Sequence, residues 1–133
     1  MESTLTKVVR VLAGLLLVVS GLNKFLHFFA PGHSDVGGAF LGNLAGAPWM
    51  FPTIGVVEVL AGAGFVTGNF VALGALAMAP ITYNIVLFHL AIDMPADPVN
   101  GLSNAGAGFF VGLANAYLLF ANMPKYQDLL RAK

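Results

Sequence analysis

Long apolar stretches alternate with short polar ones along the chain. Four stretches stand out, at residues 8–29, 48–66, 70–92 and 105–121. A helix that crosses a bilayer needs about 20 apolar residues, with roughly 17 as the short limit. The pattern therefore predicts an all-α integral membrane protein, a four-transmembrane-helix bundle in one membrane domain that occupies residues 1–133.

The connections between these segments differ in length. Residues 67–69, Thr-Gly-Asn, predict a tight turn that joins the second and third segments into a helical hairpin. The glycine-rich connection at 30–47 fits a short helix at the membrane interface, a lid over the bundle, or an irregular loop. The first segment begins like a signal peptide, but its apolar character persists past Lys24, so we expect a retained helix.

Composition supports the membrane interpretation. The chain is 58% hydrophobic and 9% charged, with a mean hydropathy of +0.84, whereas a soluble domain carries about 25% charged residues. The formal net charge is zero, which gives no reason to expect a nucleic-acid partner. Cysteine is absent, which excludes disulfides, thiol redox relays and cysteine metal sites. We expect a lipid bilayer as the environment and no metal.

Basic residues predict the orientation in the membrane. The loops at 30–50 and 93–100 contain no Lys or Arg, and five basic residues lie near the two ends of the chain: Lys7, Arg10, Lys125, Arg131 and Lys133. Because cytoplasmic segments carry an excess of Lys and Arg, both termini are predicted to be cytoplasmic and both longer loops to face the other side.

Two opposite charges lie within the apolar segments. Lys24 precedes the end of the first segment by five residues, and Glu58 follows Phe51, in the first turn of the second segment, by seven. At 1.5 Å per residue both lie roughly 8–10 Å below the same boundary. An unpaired charge in hydrocarbon costs at least ~2.5–3.5 kcal/mol. The matched depths therefore predict an intramembrane ion pair between Lys24 and Glu58, with either a structural or a functional role.

Other polar residues at similar depth suggest a ligand site. His27, Tyr83, Asn84 and His89 are the candidates for binding a quinone head group or exchanging a proton, beside apolar walls for an isoprenoid tail. Asn84 and His89 are five residues apart, about 140° around a helix, so they cannot point at one spot. A metal or haem held by the two histidines is the weaker alternative, and no catalytic set is recognisable.

Glycines mark the expected helix contacts. Gly55 and Gly62 flank Glu58 at helical spacing and predict a groove that another helix can enter. Gly108-x-x-x-Gly112 in the fourth segment is a small-residue packing motif, which could serve within the bundle or between subunits.

The chain resembles the DoxX-like family of small bacterial membrane proteins. The resemblance is carried by Arg10, by GLLLVVSGLNK ending at Lys24, and by GVVEVLAGAGFVTG with Glu58 and Gly62, and it extends from about Arg10 to Phe120. One departure is Asn69-Phe70, where family members often have an arginine. The resemblance implies a four-helix protein of the bacterial inner membrane, some of whose relatives are subunits of a thiosulfate:quinone oxidoreductase or belong to oxidative-stress complexes.

These observations lead to two hypotheses. The first is a membrane subunit of a redox-linked complex that contacts quinone in the outer half of the bundle. The second is a purely structural accessory or assembly subunit, packed against a larger membrane complex or another copy of itself, with no ligand of its own. Whether the chain is part of an enzyme stays open, and any activity would depend on a partner.

Overall fold

The structure, a computed structural model, describes residues 1–131 and is helical throughout its ordered elements. The helices are α1 (Thr4–Leu26), α2 (Asp35–Ala45), α3 (Met50–Thr67), α4 (Val71–Phe88), α5 (Met94–Ala96), α6 (Gly101–Ala121) and α7 (Met123–Leu130). A π-helical turn, His89–Asp93, joins α4 to α5, so the third crossing runs without interruption over Val71–Ala96. Lys133, one of the residues used to predict the orientation, lies outside the described residues.

Four helical segments are long and apolar enough to cross a membrane, with mean hydropathies between 1.3 and 1.9. Less than a third of each is buried inside the bundle, so most of their apolar side chains face outward. A water-soluble protein does not expose so much apolar surface. The predicted four-helix membrane bundle is confirmed, and the protein is a multi-pass membrane protein.

The crossings form an up-down-up-down ring. α1 packs against α3 and α6, and α4 packs against the same two helices. The end of the bundle that carries α2 and the 97–100 turn is called the α2 end here, and the opposite end, which carries α7, the terminal end. α2 contacts α3, α5 and the π-helical turn, so the 30–47 connection contains a helix that is docked on the bundle.

Local hydrogen bonds set the limits of α1, which differ from the predicted 8–29. The Ser3 side chain accepts a hydrogen bond from the Thr6 N–H, which starts the helix four residues early. At the other end His27 adopts a left-handed conformation with φ of 51°. The Asn23 amide there bonds both the N–H and the carbonyl of Phe29. Because Asn23 holds residue 29 back against the helix, α1 ends at Leu26.

Arg10 links α1 to the end of α3. Its guanidinium donates to the carbonyls of Phe65 and Val66, in the last turn of α3, and pairs with Glu2 at 2.9 Å. Carbonyls in the last turn of a helix lack internal partners and attract cations. Arg10 is only 5% exposed, so it joins two helices in addition to being a basic residue near the chain end.

The hairpin turn after α3 requires a glycine. Gly68 has φ of +82°, a conformation that other residues rarely adopt. A Cβ at this position would also lie 3.3 Å from both terminal nitrogens of Arg10. The turn therefore accommodates the arginine that caps α3.

We expect Arg10→Met to lower the free energy of unfolding by about 2–3 kcal/mol, because hydrogen bonds to a charged group contribute roughly 1.5–3 kcal/mol. The measurement is reversible unfolding in bicelles. Lys7→Met is the control, since Lys7 is an exposed basic residue on the same helix. Equal effects of the two substitutions would contradict a specific role for Arg10.

Four glycines bring α1 and α3 into backbone contact, and this set of Gly14, Gly21, Gly55 and Gly62 is called the glycine seam. Gly14 lies opposite Gly62, and Gly21 opposite Gly55. A Cβ on Gly14 would lie 2.7 Å from the Gly62 carbonyl oxygen, and one on Gly21 would lie 2.7 Å from the Gly55 oxygen. Small residues let helix backbones approach in this way.

Candidate functional site

Lys24 and Glu58 meet between α1 and α3. The Lys24 Nζ lies 2.6 Å from Glu58 Oε2, 3.3 Å from Ser20 Oγ and 3.5 Å from the Ser20 carbonyl oxygen. The lysine side chain is 18% exposed and the glutamate side chain 2%. Ser20 lies one turn toward the terminal end, so the lysine extends into the bundle. Lysines near helix ends usually extend toward water.

This geometry indicates a pair that is satisfied inside the protein. Glu58 sits on the α3 face that contacts the glycine seam, where a Cβ on Gly21 would lie 3.0 Å from the Glu58 Cβ. Close backbone packing leaves the carboxylate beside α1, and Lys24 and Ser20 supply its surroundings. The pair can fix the register of α1 against α3.

A second buried polar cluster lies at the α2 end. The His89 Nδ1 is 3.3 Å from Asp93 Oδ2, and Asp93 Oδ1 accepts a hydrogen bond of 2.6 Å from the Ser34 N–H. All three residues are buried, and Asp93 is fully enclosed. Ser34 is also the N-cap of α2, and its hydroxyl accepts from the Gly37 N–H. The cluster therefore ties the start of α2 to the π-helical turn.

Sequence reasoning placed Asp93 in a loop, and it did not include Ser34. Asp93 instead closes the π-helical turn, four residues after His89 on the same helical segment. The spacing of His89 and Asp93 was the available signal, because side chains four residues apart on a helix are neighbours. Nothing near Ser34 in the sequence points to a contact 59 residues away.

The His89 ring is enclosed by aromatic side chains and a glycine. Its centroid is 5.0 Å from that of Phe88 and 6.0 Å from that of Phe109 on α6. Among residues 1–131 the second ring nitrogen, Nε2, has no hydrogen-bond partner, and the residue is 8% exposed. Asp93 thus orients an imidazole whose other nitrogen is free to bond a ligand.

We expect Gly108→Ala to destabilise the protein by about 1–3 kcal/mol, the usual cost of overpacking. The added Cβ would lie 2.8 Å from His89 Cδ2, 2.9 Å from Nε2 and 2.9 Å from the Ile85 side chain. Gly106→Ala on the same helix is the control, because nothing lies within 4 Å of its added Cβ. Reversible unfolding of both variants tests the expectation. A neutral Gly108→Ala would mean that His89 moves aside easily.

The remaining predicted site residues are not brought together. His27 is an exposed C-cap of α1, and Tyr83 is 64% exposed on the outside of α4. Asn84 is also exposed, and its amide donates to the Pro80 carbonyl at 2.7 Å. Of the four candidates, His89 is the one that faces the bundle interior.

The Gly108-x-x-x-Gly112 motif packs within the bundle. Both glycines face α4, since a Cβ on Gly112 would lie 2.6 Å from the Val86 side chain and one on Gly108 would contact His89. The face of α6 that carries the motif makes a contact within the bundle, so the alternative of a contact between subunits does not apply to it.

A third polar contact joins α4 and α6 nearer the terminal end. The buried Asn115 amide donates to the Ala75 carbonyl and to the Thr82 hydroxyl, and its Oδ1 has no partner. Sequence reasoning gave Asn115 no role. Within residues 1–131, no group of three His, Cys, Asp or Glu side chains could hold a metal ion.

Comparison with known proteins identifies one family. The family model DoxX matches residues 5–90, which include Arg10, Lys24, Glu58 and His89 but stop before Asp93. The resemblance that the sequence motifs indicated is confirmed. No curated protein and no solved structure matches the chain.

Proposed function

This chain belongs to the DoxX family, and we propose that it is a membrane subunit of a bacterial redox-linked complex that binds a quinone head group beside His89. The observation that carries the proposal is the His89 ring, which Asp93 holds in place and whose Nε2 has no partner within the described chain. When Nε2 carries a proton, its N–H can donate to a quinone carbonyl oxygen, and an imidazole can exchange such a proton near neutral pH.

The surroundings of His89 suit a quinone. Phe88 and Phe109 flank the ring, and aromatic faces pack well against a flat head group. His89 lies seven residues before the end of the third crossing, at Ala96. A head group at this shallow depth leaves an isoprenoid tail in the hydrocarbon region.

We propose further that the protein lies in the bacterial inner membrane with both termini in the cytoplasm. The basic residues at the chain ends and the absence of Lys and Arg from the loops at 30–50 and 93–100 support this orientation. The α2 end would then face the periplasm. The electrons for quinone chemistry would come from a partner subunit with its own redox centre.

Quinone binding can be tested directly in nanodiscs. Titration with a short-chain benzoquinone should give saturable binding to the purified protein, and His89→Gln should weaken it at least tenfold. His33→Gln is the matched control, because His33 is an exposed residue outside the aromatic enclosure. Equal binding by all three proteins, or none by the wild type, would overturn the proposal.

A second candidate function is that of an accessory or assembly subunit without a ligand. The observation in its favour is that the Lys24–Glu58 pair finds its hydrogen-bond partners inside the bundle. The polar residues inside the bundle would then serve only to fix the register of the helices against each other. Stoichiometric co-purification with a larger membrane complex, together with no quinone binding by the purified chain, would favour this function.

A further inference from the structure

We infer that the protein forms a homodimer in the membrane through the outward face of α4, where the Asn84 side chains of two copies bond each other. This contact is separate from the surroundings of His89, because His89 turns inward to Gly108 on α6 while Asn84 turns outward. Dimerisation needs neither a quinone nor a redox partner, so it can be measured on the purified chain alone.

Asn84 is a polar side chain at a place where lipid is expected. It lies near the middle of the third crossing, thirteen residues after Val71 and twelve before Ala96. At 1.5 Å per residue it is roughly 18 Å from either end, too far for an amide to reach water. The side chain is nevertheless exposed on the outside of the bundle. Because asparagine side chains in membranes form hydrogen bonds across helix contacts, this exposure indicates a partner on the outer side of α4.

The hydrogen bonds within the chain leave most of this amide unused. One N–H of Asn84 donates to the Pro80 carbonyl at 2.7 Å, and within residues 1–131 the Oδ1 atom has no hydrogen-bond partner. An amide has two N–H donors and an acceptor oxygen, so one donor and the oxygen remain. A polar group that lies in hydrocarbon without a partner is costly. A second amide at the same depth would satisfy both remaining groups.

Pro80 leaves a backbone acceptor on the same side of the helix. Proline has no N–H, so the Leu76 carbonyl, four residues earlier, lacks its usual helical donor. Both residues are exposed, Leu76 to 47%. Carbonyls that proline frees in membrane helices are satisfied by neighbouring helices, side chains or ordered waters. The outward face of α4 therefore carries a backbone acceptor as well as the Asn84 oxygen.

The exposed residues of α4 have the spacing of a helix–helix contact. Five of them follow one another at intervals of four, three, four and three residues: Leu73, Ala77, Pro80, Asn84 and Leu87. Intervals that alternate in this way keep one face of a helix against a partner helix over several turns. In such contacts a single asparagine specifies the register and the number of helices.

A second copy of the chain is the occupant that fits this face. Two copies insert with the same orientation, so a two-fold axis along the membrane normal places each residue at the depth of its own counterpart. The free N–H of Asn84 can then donate to Oδ1 of the partner subunit's Asn84, and the reverse bond forms at the same time. An amide that complements itself in the middle of an apolar pattern requires no other polar partner.

The lack of cysteine allows the dimer to be measured with single labels. Lys125→Cys, at an exposed position on α7, carries a donor or an acceptor dye. Energy transfer is then recorded in liposomes over a range of protein-to-lipid ratios, and we expect a saturable curve. Asn84→Leu should raise the protein density at half-association about tenfold, because it removes both bonds between the copies. Asn84→Gln keeps an amide and should retain most of the association.

Two exposed leucines provide a matched pair of variants. Leu73 belongs to the proposed contact, whereas Leu12 lies on α1, across the ring from α4. Leu73→Ala should weaken association, and Leu12→Ala should leave it unchanged. A Leu73→Cys protein in native membranes should also form a disulfide between two copies when an oxidant is added, and Leu12→Cys should not.

Random energy transfer at every protein density, or equal effects of Leu73→Ala and Leu12→Ala, would overturn the dimer. So would a purified chain that stays monomeric while Leu73→Cys cross-links to a different protein, a result that would assign this face to another subunit. Asn84→Leu removes only the bond to the Pro80 carbonyl within the described chain, so we expect the monomer to unfold like the wild type. Because no quinone is present, this result stands or fails separately from the quinone titration.

Discussion

Lys24→Met should lower the free energy of unfolding by about 3–5 kcal/mol, the usual cost of removing one partner from a buried ion pair. The substitution leaves the Glu58 carboxylate, whose side chain is 2% exposed, without a counter-charge beside the glycine seam. Ser20 would be the remaining nearby polar side chain. Steric trapping in bicelles measures the free energy without exposing the protein to denaturant.

The double variant Lys24→Met/Glu58→Leu distinguishes an ion pair that stabilises the folded protein from one whose role is to fix the register of α1 against α3. Replacing both charges with apolar residues of similar volume is often neutral or stabilising in other buried pairs. We therefore expect the double variant to lose less than Lys24→Met alone, by at least about 2 kcal/mol. A double variant that is less stable than either single variant would contradict this account.

Gly14→Val should destabilise the protein by about 3 kcal/mol or more, at the upper end of overpacking costs. A Cβ at Gly14 would lie 2.7 Å from the Gly62 oxygen and 2.9 Å from the side chains of Phe65 and Val66. The Gly62 oxygen belongs to the backbone of α3 and cannot rotate away as a side chain can, so α1 and α3 would have to separate. That separation would also lengthen the Lys24–Glu58 contact.

Gly106→Val is the matched control for the seam, because its added Cβ meets nothing within 4 Å. We expect its free energy of unfolding to stay within about 0.5 kcal/mol of the wild type, as for surface substitutions generally. A Gly14→Val protein as stable as Gly106→Val would mean that the seam can open at little cost.

The contact of Lys24 with Glu58 shows that counting residues from the ends of the apolar segments can predict a contact between two helices. Two charges in adjacent antiparallel helices at one depth must find each other or water, and the structure places them 2.6 Å apart. The apolar pattern predicted that the first helix ends at residue 29. The helix instead stops at Leu26, two residues after Lys24, because Asn23 bonds back to Phe29. A side chain that reverses the chain direction leaves no trace in hydropathy.

Asp93 and Arg10 show where the sequence alone is insufficient. The apolar run ends at Ile92, but the π-helical turn carries the helix on through Asp93, and Pro95 is tolerated in the first turn of α5. Arg10 has the position of an ordinary flanking charge. Both are buried by partners 55 or more residues away, at Phe65 and Ser34, and local patterns do not encode such contacts.

Too many residues were assigned to the candidate ligand site, for a related reason. α4 is apolar on nearly every side, so its sequence does not indicate which face turns inward. Tyr83 and Asn84 have the right depth, yet Tyr83 is 64% exposed, while His89 turns inward to Gly108. Depth followed from counting residues, but rotation about the helix axis depended on packing between α4 and α6.

The two charges lie at unequal distances from the ends of their own helices, and this difference has a consequence for biogenesis. Lys24 lies two residues from the end of α1, so a newly inserted α1 can extend this side chain to the headgroups by itself. Glu58 lies eight residues inside α3, roughly 12 Å from its start, where a glutamate cannot reach water. We therefore expect α3 to insert more readily beside α1, which synthesis from the N-terminus delivers first. The order of the helices along the chain then supplies the counter-charge for Glu58 at the moment when α3 enters the bilayer.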